Sequence, residues 1–235
     1  MSRILITGVA GFLGSHLADR FLQDGHSVVG IDNLLGGYLE NVPKGVEFFD
    51  EDLGNFSALA PIFRNVELVV HSACTAYEGL SVFSPSLVAQ NTSQITTNVL
   101  SASIQTGVKK FVYMSSMARY GDNSGLVFDE SLTPKPQDPY GIAKLSAERL
   151  LQNLAEVHDV DFVVLVPHNI VGARQKFDDP FRNVAAIMIN LMLQNRQPVI
   201  YGDGEQTRSF LFIDDCIEAT RRLMASDFKK PLNIG

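Results

Sequence analysis

A phenol and an ammonium stand four residues apart in Tyr140-Gly141-Ile142-Ala143-Lys144. On a helix, positions i and i+4 share a face, so both groups can look into one cleft. A free tyrosine titrates near ~10 and must fall by roughly three units to take a proton at neutral pH, which is about 4 kcal/mol. One unit charge ~4 Å away, at an effective dielectric near ~20, supplies about 4 kcal/mol. A lysine aided by a second positive charge in the same cleft therefore suffices in principle. The spacing alone is common on exposed helices. It gains meaning from Ser115-Ser116, which follows the apolar run Phe111–Met114. A hydroxyl at the carboxyl end of a strand can hold a substrate oxygen that exchanges its proton with Tyr140; the alternative for Ser116 is a cap bonded to backbone.

The first strand-like run ends in Thr7-Gly8-Val9-Ala10-Gly11-Phe12-Leu13-Gly14, and a helical pattern begins at once. Glycines at this spacing suit a tight turn, close approach to a pyrophosphate, and packing of helix on strand. The helix N-terminus adds free N–H groups and partial positive charge. Gly8, Gly11, Phe12, Leu13 and Gly14 are thus candidate dinucleotide contacts. Asp32 lies 18 residues beyond Gly14, after the second run. Its carboxylate suits both hydroxyls of an adenosine ribose and would repel a 2′-phosphate, which favours NAD over NADP; a turn cap shared with Asn33 is the other reading. Asp52-Leu53, after the third run, is placed beside the adenine, with a surface turn as the alternative. An oxidised nicotinamide would bring the second positive charge near Tyr140, and Lys144 could reach its ribose.

These residues need a scaffold, and the hydropathy pattern supplies one. Candidate strands are Ile4–Thr7, Ser27–Ile31, Val46–Phe49, Leu68–His71, Phe111–Ser115, Phe162–Val166, Val199–Tyr201, Phe210–Ile213 and Leu232–Ile234. Candidate helices are Phe12–Asp24, Ser57–Phe63, Pro85–Thr106, Tyr140–His158, Val184–Asn195 and Asp215–Ser226. Strands apolar throughout suit a sheet covered on both faces. Strict alternation with helices predicts an α/β fold, a Rossmann-type doubly wound parallel sheet. We expect residues 1–167 to form the dinucleotide-binding domain, with 210–235 returning to it, and 168–209 to form part of a small, incomplete C-terminal substrate-binding lobe.

The remaining composition narrows the function. The 235 residues carry a net charge of −7 and no basic cluster, which argues against nucleic acid as a partner. No apolar run approaches the ~20 residues of a membrane span, and the start lacks the features of a signal peptide. The two cysteines, Cys74 and Cys216, lie in regular apolar stretches, so a reducing, cytoplasmic setting is expected. The five histidines lack metal-ligand spacing, and neither cysteine suggests a zinc site, so no metal is expected.

The order T-G-x-x-G-x-x-G, Asp, S-S-x-x-x-Y-G, Y-x-x-x-K resembles the extended short-chain dehydrogenase/reductase family. Within it, the chain looks like the NAD-dependent nucleotide-sugar epimerase/dehydratase branch, along its whole length. His71-Ser72-Ala73-Cys74 resembles the strand-four segment that lines the cofactor, which assigns His71 and Ala73 to that wall; for His71 a satisfied core histidine is the alternative. Ser115 and Pro167 join the cofactor set. Pro167-His168-Asn169-Ile170-Val171-Gly172 resembles the stretch whose asparagine, here Asn169, touches the nucleotide-sugar diphosphate. Tyr201-Gly202-Asp203-Gly204-Glu205-Gln206-Thr207-Arg208-Ser209-Phe210 is the most specific later match. It implies that Tyr201 and Arg208 bind substrate, the arginine through a donor fork that fits phosphate.

The resemblance implies that Ser116, Tyr140 and Lys144 are catalytic. Tyr140 would take the proton of a sugar hydroxyl as hydride leaves that carbon for NAD, and Ser116 would hold the oxygen. A 4-keto sugar that turns over and takes hydride back makes the chain a nucleotide-sugar 4-epimerase, with a UDP-sugar as the leading substrate. Sugar 4,6-dehydratases of the branch carry an Asp-Glu pair where this chain has Met117-Ala118, so dehydration is disfavoured. The branch's usual asparagine position after strand four holds Thr92, with Asn91 beside it, and both stay open. A reductase of the same branch and a non-catalytic NAD-binding module are the rivals; Ser116, Tyr140 and Lys144 together argue against the module. Homodimers of the branch often form through the helix ending at His158 and the long helix before strand five. Such enzymes ordinarily need about two ~150-residue units. The sequence therefore reads as lacking the last part of the substrate lobe, or as having an unusually open sugar site.

Overall fold

Residue types at the strand positions decide the architecture. In Asp161–Pro167 the five residues Phe162 to Val166 are all buried, which requires cover on both faces of the sheet. A computed structural model describes residues 1–121, 127–178, 184–200 and 202–235. The chain runs β1 (Arg3–Thr7), α1 (Phe12–Gln23), β2 (Ser27–Asp32), β3 (Glu47–Asp50), α2 (Phe56–Ile62), β4 (Leu68–His71), α3 (Glu78–Ser81) and α4 (Pro85–Ala89). It continues with α5 (Ile95–Thr106), β5 (Lys110–Met114), α6 (Pro139–His158), β6 (Asp161–Pro167), β7 (Asn169–Val171), α7 (Val184–Leu193), β8 (Phe210–Phe212), α8 (Ile213–Met224) and β9 (Leu232–Ile234). Seven strands form one sheet in the order β3-β2-β1-β4-β5-β6-β9. Every pairing in it is parallel, with Leu5 opposite both Val29 and Val69. This is the doubly wound Rossmann arrangement.

Two apolar clusters sandwich the sheet. Phe21, Leu17, Cys216 and Ile217 of α1 and α8 pack with Ile4, Ile6, Val112 and Val163 on one face. Leu59, Val99, Leu100, Ala147 and Leu151 of α2, α5 and α6 pack with Leu5, Val69, Phe111 and Val164 on the other. The strand order reverses between β1 and β4, and the carboxyl ends of the strands open a crevice there. Beyond β6, β7 and β8 form a separate two-stranded parallel sheet, while β9 returns to the main one beside β6.

Three expectations change. Val199 and Ile200 are exposed and form no strand, and Tyr201 lies outside the described residues. The helix expected over Pro85–Thr106 is interrupted by a π-turn at Gln90–Gln94, where Asn91 leaves helical geometry (φ −82°, ψ 15°). Strand β7 is not among the strands expected from the sequence.

Candidate active site

The crevice holds a cleft of about 950 Å³ along the carboxyl ends of β1, β2, β4, β5 and β6. Its floor is the glycine loop. Gly8 has φ +73°, and a Cβ there would stand 2.9 Å from the Ala73 Cα. A Cβ on Gly14 would overlap the Gly8 carbonyl, with its carbon only 2.7 Å away. The backbone therefore passes close to β4 and to itself, which only glycine allows. Gly11 caps α1 without a side-chain bond, and the first turn carries no acidic residue. Those N–H groups and the positive helix end form a ready site for a phosphate.

Asp32 ends β2 and is buried. It accepts the Ala10 N–H at 3.0 Å and the Leu34 N–H at 2.8 Å. Burial pushes its carboxyl above the ordinary range, while those N–H groups and that of Gly11 pull it down. The carboxylate caps the loop and also lines the cleft. Its remaining lone pairs can accept hydroxyl groups. Asn33 donates to Asp52 at 3.1 Å, and Asp52 also accepts the Gly54 N–H at 2.6 Å. Asn33, Asp52 and Leu53 line the same end of the cleft. The cradle that a Cβ would fill, the uncapped helix end and the buried carboxylate together fit a dinucleotide.

At the other end stand the residues expected to be catalytic. Pro139 sits at the start of α6, and Asp138 caps it by accepting the Gly141 N–H at 2.9 Å. This sets Tyr140 and Lys144 one turn apart over β5. The Lys144 ammonium donates to the Met114 carbonyl at 2.7 Å and lies 5.9 Å from the Tyr140 ring centre. Ser116 accepts the Ala118 N–H at 3.2 Å, which makes it a cap, and its hydroxyl is also hydrogen-bonded to Tyr140. The Ser115 hydroxyl faces inward and donates to Glu148, which is paired with Arg119 at 3.1 Å. Burial, with Cys74 adding to it, pushes the Tyr140 phenol well above its ordinary range, and the Ser116 hydrogen bond pulls it back. Lys144 alone does not offset that burial. Its ammonium is aimed at a carbonyl rather than at the phenol.

His71 is corrected as a cofactor contact. It is 1% exposed, and both ring nitrogens are engaged, Nδ1 with Thr7 Oγ1 at 2.7 Å and Nε2 with Thr96 Oγ1 at 2.9 Å. Burial, with Lys144 second, lowers its pKa to about 3. The ring braces the wall from behind, while Ser72, Ala73 and Cys74 face the cleft. Pro167, Asn169 and Arg208 reach the cleft from β6, β7 and the segment before β8. The pairing of β7 with β8 sets Asn169 opposite Phe210, and Asn169 donates to the Ser209 carbonyl at 3.0 Å. Arg208 is exposed and donates to the Thr207 carbonyl at 2.8 Å.

The cleft also contains residues that sequence reading missed. Glu78 lines it from α3, and Tyr38 and Lys176 face each other at the mouth, 5.5 Å apart. Of Asn91 and Thr92, the π-turn brings Asn91 to the cleft, where it donates to Thr75 Oγ1 at 3.1 Å; Thr92 is buried. Such turns gather at functional sites, but nothing in the local sequence marks one.

A sequence profile described as the NAD dependent epimerase/dehydratase family matches residues 4–235. A putative UDP-glucose 4-epimerase of Methanocaldococcus jannaschii is 34% identical over 237 residues, covering 99% of this chain and 76% of that protein. The crystal structure of a Thermotoga maritima UDP-glucose 4-epimerase with UDP-glucose superposes with a TM-score of 0.95 at 34% identity, covering 99% of this chain and 76% of the other. A Bacillus cereus UDP-glucuronic acid 4-epimerase, solved with UDP-glucuronic acid and NAD, gives a TM-score of 0.89 at 32% identity, covering 99% and 77%.

Proposed function

The chain belongs to the NAD dependent epimerase/dehydratase family, and from that premise we propose that it is an NAD-dependent nucleotide-sugar 4-epimerase acting on a UDP-sugar. The observation that carries this reading is one cleft lined by the glycine cradle, Asp32, Ser116, Tyr140 and Lys144. Gly8, Gly11 and the first turn of α1 would hold the pyrophosphate. Asp32 would hold the adenosine ribose, and Lys144 the second ribose. When bound, NAD supplies the hydride acceptor and donor together with a positive ring charge.

The chain's own groups handle the proton. The Tyr140 oxygen takes it from the sugar 4-hydroxyl as that carbon becomes a carbonyl, and gives it back in the second half. Ser116 donates to the same oxygen and steadies the developing charge. Burial holds the phenol protonated, so the base forms only where Lys144 and the ring charge both favour it. Arg208 and Asn169 would hold the diphosphate, the former by its fork of donors. Met117 and Ala118 offer no acid or base for dehydration. The exposed Ile142, Leu150 and Val157 of α6 support a homodimer through that helix. Two free cysteines support a cytoplasmic setting.

The test is incubation of the purified protein with UDP-, GDP-, CDP- and dTDP-sugars, followed by product identification. Epimerised UDP-sugar without added cofactor is expected. Tyr140→Phe should cut turnover at least ~10²-fold while NAD is retained. Stoichiometric consumption of NADH or NADPH with a keto sugar would replace the epimerase reading by a reductase.

A further inference from the structure

Glu78 opens α3, in the loop that follows β4. Its side chain lines the cleft together with Ser116, Tyr140, Asn169 and Arg208. Glu78 and Asp138 are electrostatic neighbours, and the commitments of their carboxylates differ. Asp138 spends its own on the Gly141 N–H at 2.9 Å and on Ser81 Oγ at 3.5 Å, as the cap of α6. The Glu78 backbone carbonyl accepts from Ser81 Oγ at 2.6 Å, which fixes the turn. Its carboxylate accepts no hydrogen bond from any described residue. The group is nonetheless electrostatically linked to both ends of the substrate region. Burial and Asp138 push it up and Arg208 pulls it down, while Glu78 in turn raises the Tyr140 phenol.

Under the reading above, the diphosphate goes to Arg208 and the reacting hydroxyl to Tyr140. The hexose ring must lie across the span between them, and Glu78 is the free carboxylate on that span. We propose that Glu78 determines sugar specificity by selecting a ring that bears hydroxyl or amino groups and rejecting one that bears a carboxylate. A carboxylate accepts hydrogen bonds from hydroxyl and amino groups. It repels another carboxylate brought against it at the exposed cleft wall. Once the diphosphate shares the charge of Arg208, less positive charge remains to soften that repulsion. The inference rests on the nucleotide-sugar reading and names its substrate class: a neutral or amino hexose on UDP, not a uronic acid.

The experiment measures dissociation constants and kcat/KM for UDP-glucose and UDP-glucuronic acid, with NAD-loaded wild type and Glu78→Gln. Retained NAD reports that the variant is folded. The wild type is expected to bind UDP-glucose at least about tenfold more tightly, equivalent to about 1.4 kcal/mol. Glu78→Gln should bring the two affinities within about threefold of each other. Equal or tighter wild-type binding of UDP-glucuronic acid overturns the proposal without any variant. A preference that survives Glu78→Gln overturns it as well. An intact, Glu78-dependent affinity preference with no turnover of either sugar upholds the proposal and refutes the epimerase reading. Turnover of both sugars without preference does the reverse, and binding of neither overturns both.

Discussion

Neutral His71 should set a specific acid limit on this fold. Thr96 Oγ1 donates to the Thr92 carbonyl at 2.6 Å, so it can only accept from the imidazole. That places the ring proton on Nε2 and leaves Nδ1 to accept from Thr7, whose oxygen accepts the Ala73 N–H at 3.3 Å. Both ring nitrogens already have partners, with no room for a second ring proton. Burial and Lys144 accordingly lower the pKa from 6.5 to about 3. Above the ordinary value the folded and unfolded chains are both neutral here, and the full stability is present. Below it the unfolded chain takes up a proton that the folded chain refuses, so stability falls as pH drops towards the folded value. At ~1.36 kcal/mol per unit, the complete loss is about 5 kcal/mol, of which about 3 is gone at pH ~4.5. Urea unfolding of wild type and His71→Gln, at pH ~7.5 and ~4.5, isolates this from the carboxylates. The variant starts less stable, and the gap should narrow by about 3 kcal/mol at the lower pH. A gap unchanged between the two conditions, or a His71 ring resonance titrating near its ordinary value, would refute the reasoning.

Two further outcomes follow from contacts beneath the cleft. Gly14→Ala puts a methyl against the Gly8 carbonyl, 2.7 Å from its carbon. NAD affinity measured by calorimetry should fall at least about tenfold, and an affinity within about twofold of wild type would show that the loop is not the cradle. Arg119→Ala strands the buried Glu148, whose partner lies 3.1 Å away. Thermal unfolding should show a loss of about 3–5 kcal/mol, and adding Glu148→Leu should recover part of it. No recovery in the double variant would mean that the pair is not the source of the loss.

The parallel sheet was legible because its signal is local and repeated. Each strand from β1 to β6 has an apolar centre, and each crossover is long enough for a helix. The glycine loop was equally legible, since Gly8, Gly11, Gly14 and Asp32 set its shape through backbone geometry and one charge, both fixed near the residue itself. What could not be read depends on distant partners. The engagement of both His71 ring nitrogens depends on Thr7 and Thr96, from two other elements. The π-turn at Gln90–Gln94 reflects how α4 and α5 pack around the cleft, not any breaker in Gln-Asn-Thr-Ser-Gln. Glu78 carries no local mark of a site, and only the fold sets it in one cleft with Tyr140 and Arg208. Val199–Tyr201 had the composition of a strand, but exposed Val199 and Ile200 find no neighbour to pair with among the described residues.

The site also shows why β5 and α6 hold Ser116, Tyr140 and Lys144 with little freedom. Three consecutive residues at the end of β5 are tied to three residues on one face of α6. The Met114 carbonyl takes the Lys144 ammonium, the Ser115 hydroxyl goes to Glu148, and the Ser116 hydroxyl meets Tyr140. The helix residues are spaced four apart, so they form a stripe that lies along the strand end. Only one relative placement of helix and strand satisfies all three contacts. A slide of the helix by one residue would turn the stripe by ~100° and break every one of them. Arg119 completes the lock by neutralising Glu148, which burial would otherwise push towards its protonated form. The Tyr140–Ser116 pair thus owes part of its geometry to Arg119 and Glu148, which do not line the cleft. Substitutions at Glu148 or Arg119 should therefore disturb turnover through the placement of Tyr140, in proportion to how far α6 is released.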